Sequence, residues 1–189
     1  MAPRIGPDRT LTPEAEASCL RAGVMILLYP RDGEPHLVLI RRAAGVLHHK
    51  DQIGLPGGQL EAGEDPKTAA LRETEEEIGV PRGLITVAGR LTPLFIPPSN
   101  FCVYPFVGSA EAAPAFVPEP SEVAGIIEVP LSRLADAATV RTEVWTLRGE
   151  RVDVPFYAYG THKIWGATAM VLAEFLAVLR AAILAPNNP

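Results

Sequence analysis

Residues Gly57 to Val80 read GGQLEAGEDPKTAALRETEEEIGV, and the rest of the chain is best understood outward from them. Asp65-Pro66 is a helix start: a side-chain oxygen at the cap, then a proline where its missing N–H costs nothing. Gly79 suits the left-handed residue that closes a helix, and Pro81 cannot continue one. The spacing predicts a helix from Pro66 to Ile78. At 3.6 residues per turn, Leu71, Thr74 and Ile78 share one side with Ala70 at its edge, and Glu73, Glu76 and Glu77 are expected on the other.

Acids dominate this stretch: Glu61, Glu64, Asp65, Glu73, Glu75, Glu76 and Glu77 stand against Lys67 and Arg72. Carboxylates crowded on one patch repel and raise one another's pKa values. A divalent cation relieves that repulsion, and an all-oxygen site suits Mg²⁺ or Mn²⁺. Taken alone, an acidic helix face is more often simply solvated. The spacing decides otherwise: Gly58, five residues, Glu64, seven residues, Arg72-Glu73, then Glu76-Glu77, one residue, Gly79, Val80.

This pattern resembles the Nudix box, G-x5-E-x7-R-E-U-x-E-E-x-G-U. The one departure is Thr74, where the box usually carries an aliphatic residue. The resemblance implies an α/β fold, the Nudix α/β/α sandwich with a mixed β-sheet, and hydrolysis of a diphosphate linkage. It makes Glu73, Glu76 and Glu77 metal ligands, with the carbonyl of Gly57 or Gly58 in the shell, Arg72 orienting a box glutamate and Glu64 supporting the metal shell or the loop. A further glutamate outside the box often contributes. Glu122, just before an apolar strand in PSEVAGIIEV, is the candidate, as ligand or general base.

The segment before the box addresses the substrate. VLIRRA (38–43), Val46, His49, Gln52-Ile53 and Leu55-Pro56-Gly57-Gly58 resemble the coenzyme A pyrophosphatases, which read roughly L-L-T-x-R-S-x-x-L-x-x-H-x-G-Q-V-x-F-P-G-G. Arg42, His49, Gln52 and the Pro-Gly-Gly match, whereas Ile40, Ala43 and Asp51 depart. YPFVG (104–108) and IWGATA (164–169) also look like that subfamily. The resemblance implies a small-molecule nucleotide substrate, coenzyme A or a related diphosphate, cut to 3′,5′-ADP and 4′-phosphopantetheine. Arg41, Arg42, His49, Gln52 and Gly58 are the expected substrate contacts, and His48 and Lys50 add to the positive charge near an extra phosphate. A Nudix pyrophosphatase of ADP-ribose, other nucleoside diphosphate derivatives or nucleoside triphosphates is the alternative. A non-catalytic binding module would have no use for the complete acid set.

Bulk properties agree with one domain, or one domain with elaborations. The 189 residues are 48% hydrophobic and 21% charged, enough for a core, with a net charge of −5 that argues against nucleic acid or an anionic membrane as partner. Residues 1–20 read as a polar, Pro-rich N-terminal arm without the apolar core of a signal peptide, and 21–185 as the Nudix domain. Cys19 and Cys102 form no disulfide framework by spacing and are expected as unpaired packing residues in a reducing cytoplasm. Predicted strands are Ala22–Tyr29 and His36–Arg42, joined by a turn of several residues, a short one at 51–56, then Leu84–Leu94, Phe101–Gly108 and Val123–Val129, with a hairpin of Glu143–Leu147 and Arg151–Phe156. A short helix is predicted at Pro130–Asp136. The last segment, Lys163–Leu184, is long enough to span a bilayer, but Glu174 and Arg180 fall inside it. It is expected as a core or homodimer-interface helix, with Trp165, Leu172, Phe175, Leu176 and Leu179 facing the sheet.

Overall fold

A computed structural model describes residues 11–43, 52–147 and 149–184. Val46, His48, His49, Lys50 and Asp51 lie outside the described residues, as does the first half of the arm. The second half of the arm is a short helix, α1 (Pro13–Ser18), capped by Thr12, whose Oγ1 accepts from the Ala15 N–H at 3.3 Å. Cys19, just past it, is disulfide-bonded to Cys102. The expectation of two unpaired cysteines is therefore corrected. They lie far apart in sequence and meet because strands Leu20–Arg31 and Phe101–Ser109 lie side by side, which spacing along the chain does not reveal.

Strands β1 (Leu20–Arg31) and β2 (Glu34–Arg42) form the predicted hairpin. Its turn has two residues rather than several, Asp32 and Gly33, with φ of 51° and 81°. Asp-Gly is the pair that a type I′ turn requires, since both central residues are left-handed. Two short strands follow, β3 (Ile53–Gly54) and β4 (Gly57–Gln59), then the box helix α2 (Pro66–Ile78). The strand predicted over Leu84–Leu94 is broken into β5 (Thr86–Arg90) and the start of β6 (Leu94–Ile96). The break falls at 91–93, where Pro93 has no N–H to donate. Strand β7 (Phe101–Ser109), β8 (Val123–Pro130) and α3 (Leu131–Ala135) fall where predicted.

The main sheet runs β3-β2-β1-β7-β5, with β4 also on β1, β6 on β7 and β8 on β2. β1 and β7 are parallel, from Leu20 opposite Phe101 to Leu28 opposite Ser109, and the other pairs are antiparallel. The sheet is mixed, as expected. Alternation along β1 supplies two cores. Ile26 joins Leu37, Leu39, Leu172 and Phe175 on one face, while Met25, Leu27 and Tyr29 join Val38, Ile40, Ala70 and Ile78 on the other. Helix α2 covers the second face, and the C-terminal helix Gly166–Leu184 the first.

The predicted C-terminal hairpin gains a third strand. β9 (Val140–Leu147), β10 (Glu150–Tyr159) and β11 (His162–Trp165) form a separate sheet, β11-β10-β9. Helix α4 (Gly166–Leu184) starts only after it. Trp165 is thus a strand residue, opposite Phe156, and not part of the helix. Ala169, Val171, Leu172, Phe175 and Leu176 are buried, while Val178, Ile183 and Leu184 are exposed. α4 has the length and hydropathy to cross a membrane, as its composition implied.

One contact positions the site more than any other. Helix α2 lies directly on β1 at Gly23, where an added Cβ would stand 2.1 Å from the Pro66 carbonyl oxygen and 2.8 Å from the Ala70 nitrogen.

Candidate active site

Helix α2 begins and ends as its sequence demands. Asp65 Oδ1 accepts from the N–H groups of Lys67 (3.0 Å) and Thr68 (3.2 Å), and its Oδ2 from the Thr68 hydroxyl. Gly79 closes the helix at φ 72°, donating its N–H to the Glu75 carbonyl at 2.9 Å. The last helical carbonyls are satisfied from outside: Val117 donates to Ile78 (2.9 Å) and Glu119 to Glu77 (3.0 Å). These two bonds tie the long loop before β8 to the helix end. A turn then follows in which Glu119 Oε1 accepts from the Ser121 backbone and hydroxyl, and it delivers Glu122 to the site.

The helix faces differ from the predicted division. Glu77 is 1% exposed and sits with Thr74 and Ile78 on the buried side, so it does not share a face with Glu76. Glu77 stays buried because β4 supplies a partner: Oε2 accepts from the Gly57 N–H at 2.8 Å, and Oε1 lies 3.3 Å from Arg42 Nη1. Gly57 therefore meets the site through its N–H. Thr74, the departure from the box, is fully buried with its hydroxyl donated to the Ala70 carbonyl at 2.6 Å, so it costs the packing no unpaired polar group.

Arg72 is the hub of a second network. Nε and Nη2 take both oxygens of Glu64 at 3.0 Å, Nη1 reaches Glu73 and Glu76 at 2.8 Å each, and Nη2 also donates to the Gln59 carbonyl at 3.1 Å. Such a bidentate fork fixes a guanidinium firmly. The predicted pairing of Arg72 with box glutamates is present. Glu64 and Glu76 are held on Arg72, and among the described residues the carboxylates that come together are Glu73, Glu77 and Glu122, with oxygens within 4.8 Å of one another. Expecting Glu73, Glu76 and Glu77 as one cluster and Glu64 beside it is corrected to that extent. Glu76 points outward, its side chain 56% exposed.

Burial pushes the Glu77 carboxyl up to about 8, against the opposing pull of the Gly57 N–H and Arg42. Burial likewise raises Glu73, with Arg72 pulling the other way. Hydrogen bonds from Arg72 hold Glu64 below the usual carboxylate range. Carboxylates gathered in this way favour either a proton or a cation. The donors are all oxygen, and Gly58 leaves the room they need: a Cβ there would stand 2.4 Å from the Glu73 carboxyl carbon and Oε1. The residues fit a hard divalent cation held by Glu73 and Glu77, with Glu122 beside them as ligand or base.

Two expected results follow at this point. Gly58→Ala should fold, because the clash is with the end of a side chain. It should also lose about 10²-fold or more in activity and weaken divalent-ion affinity by at least 10-fold, measured by calorimetry. The second result concerns pH. Glu77 titrates near 8 in the folded protein and at the ordinary 4.5 when unfolded. The native state therefore binds more protons between those values, and stability of the metal-free protein should fall as pH rises through that window. A divalent cation, which needs the ionised form, should raise the thermal midpoint more at pH 8.5 than at pH 5.5. An equal rise at both would contradict the assignment of Glu77.

A cavity of about 840 Å³ opens beside the carboxylates, lined by Arg42, Gln52, Leu55, Gly57, Gly58, Ser121 and Glu122 on one side. Ile96, Ser99, Phe101, Leu147, Trp165 and Thr168 contribute elsewhere on its wall. Of the predicted substrate residues, Arg42, Gln52 and Gly58 are there. His49 falls outside the described residues. Arg41 is not among the described residues that line the cavity; its Nη2 donates to the Ala124 carbonyl of β8 at 3.2 Å. A register shift of β2 against β8 falls between Arg41 and Arg42. Sequence reasoning missed Gly23, Ser99 and the position of Trp165. A lone glycine inside the apolar run AGVMILLY was the available signal for the first, since it marks close backbone approach.

Comparison with known proteins gives the class. The NUDIX domain family matches residues 20–147, and the chain belongs to the Nudix family. It is 36% identical over 146 residues to the Nudix hydrolase NudL of Photorhabdus laumondii, covering 75% of each chain. It is 34% identical over 169 residues to the NudL of Yersinia pestis, covering 88% of this chain and 84% of the relative. Among solved structures, a Nudix hydrolase from M. smegmatis, RenU, shares the fold with a TM-score of 0.59 at 20% identity, over 89% of this chain and 90% of that one. A MutT protein from Methanosarcina mazei gives 0.55 at 16% identity, over 85% and 94%. The protein is a Nudix hydrolase acting on nucleoside diphosphate derivatives. The matched domain stops at Leu147, so β10, β11 and α4 lie beyond it.

Proposed function

We propose that this hydrolase cleaves coenzyme A at its pyrophosphate, with Mg²⁺ or Mn²⁺, to 3′,5′-ADP and 4′-phosphopantetheine. The observation that carries the proposal is the position of Arg42 and Gln52. These residues carry much of the resemblance to coenzyme A pyrophosphatases, and they line the cavity with Glu122 and with Gly57 and Gly58 of β4. A segment that only supported the fold would have no reason to meet the carboxylates there.

The cation, when bound, neutralises the diphosphate and acidifies an attacking water. The chain's own residues do the rest. Glu73 and Glu77 are fixed as ligands by Arg72 and by the Gly57 N–H. Arg42, beside Glu77, offers its remaining N–H groups to phosphate oxygens. Glu122 is the exposed member of the cluster and stands open to water, so it takes the proton from the attacking water. Glu76, held on Arg72, would be a further ligand by the pattern of the family.

The reaction is tested by incubating the protein with Mg²⁺ or Mn²⁺ and coenzyme A, ADP-ribose, diadenosine polyphosphates or deoxynucleoside triphosphates, and separating the products. Coenzyme A should be consumed fastest; hydrolysis of ADP-ribose with coenzyme A untouched would overturn the proposal. The role of Glu122 has its own readout. Glu122→Gln should lower kcat by about 10²–10⁴-fold with little change in cation affinity. An affinity loss as large as that of Glu73→Gln would make Glu122 a ligand.

A further inference from the structure

The cavity is lopsided in charge. Among the described residues that line it, the charged ones are Arg42 and Glu122. Both belong to the carboxylate end: Arg42 lies 3.3 Å from Glu77, and Glu122 is within the Glu73–Glu77 cluster. A diphosphate placed at that end leaves one organic half of the substrate for the neutral wall.

Two observations say which half. Trp165 lines the neutral wall and is braced before any ligand arrives. Its ring meets Trp145 edge-to-face at 5.1 Å, and Trp145 stacks on Phe156 at 6.2 Å. The Lys163 ammonium lies 5.6 Å and 5.3 Å from the Trp145 and Phe156 rings and is held in place by Glu143. A flat aromatic surface fixed in advance is what stacking on a base requires, because little freedom is lost on binding. The second observation is Ser99, another lining residue, whose Oγ is buried without a hydrogen-bond partner. A buried hydroxyl left unpaired is costly, and a polar ligand atom in the cavity would repair it. A heteroaromatic ring with a polar edge answers both features. A flexible amide chain answers only the second.

We infer that Trp165 is the platform on which the nucleobase of the substrate stacks, and that Ser99 hydrogen-bonds the base edge. The β9–β11 sheet is then the element that reads the nucleoside. The inference rests on the nucleoside diphosphate reading of the site and deepens it, without depending on coenzyme A in particular.

Trp145 and Trp165 are the two tryptophans of the chain, so Trp145→Phe leaves Trp165 as sole reporter. Titrated without cation, 3′,5′-ADP should quench the fluorescence of this variant, and 4′-phosphopantetheine should not. Trp165→Leu should weaken 3′,5′-ADP binding about 10-fold by calorimetry, and Trp165→Phe should restore most of it. Ser99→Ala should weaken nucleotide binding about 5-fold while leaving the thermal midpoint of the ligand-free protein unchanged or higher, an outcome that a purely structural serine would not give. Quenching by 4′-phosphopantetheine and not by 3′,5′-ADP would overturn the inference, as would unchanged nucleotide affinity in Trp165→Leu. The two readings fail separately. Quenching by the nucleotide with coenzyme A left intact removes coenzyme A and keeps the platform; cleavage of coenzyme A without quenching removes the platform alone.

Discussion

Glu77→Gln should abolish turnover, with a loss of at least about 10³-fold in kcat, while the protein stays folded. The amide keeps the shape of the side chain and an oxygen for the Gly57 N–H, which now bonds Oε2 at 2.8 Å. What disappears is the charge. Ionised Glu77 is a poor occupant of its buried place without a cation, since burial already raises its pKa to about 8. The metal-free variant at pH 8 should therefore melt no lower than the parent, and its midpoint should no longer respond strongly to Mg²⁺ or Mn²⁺. Activity, melting and metal titration together separate this outcome from simple misfolding. A variant that retained both turnover and the metal-induced rise would remove Glu77 from the site.

Gly23→Ala is expected to have the largest effect on stability. The added Cβ would lie 2.1 Å from the Pro66 oxygen and 2.8 Å from the Ala70 nitrogen, both backbone atoms that no rotamer change can move. Helix α2 must lift from β1, at a cost of about 3 kcal/mol or more. The thermal midpoint should drop by roughly 6–12 °C. Activity should fall too in the fraction that folds. Glu73 and Glu77 ride on the helix, whereas Gly57 and Gly58 ride on β4, which pairs with β1 at Val24 and Gly23. A parent-like midpoint measured by calorimetry would contradict this packing.

The box helix was legible to the residue because its limits are local. Asp65, Pro66 and Gly79 set them through backbone preferences that act within a few positions, and the structure has the same bounds. The first hairpin, β7, β8 and the sandwich class followed equally from apolar periodicity and turn residues. Errors arose where a distant partner mattered. The predicted Leu84–Leu94 strand is two strands, β5 and β6, that pair separately with β7. Trp165 belongs to a strand because β10 pairs with it. Cys19 and Cys102 join because β1 and β7 run side by side.

The same division runs through the site. The amino-acid sequence by itself determined the helix, the family, the diphosphate chemistry and the carboxylates available for a cation, because all of these reside in short-range spacing. Only the tertiary structure decided which carboxylates meet. Glu77 is drawn inward by the Gly57 N–H, Glu64 and Glu76 are held by Arg72, and Glu122 is brought in by a loop bonded to the end of α2. The tertiary structure also decided that Arg42 faces the cavity and Arg41 faces β8. Helical and strand periodicity say which side of an element a residue takes. What waits on that side depends on elements far along the chain, and that is where substrate recognition lies.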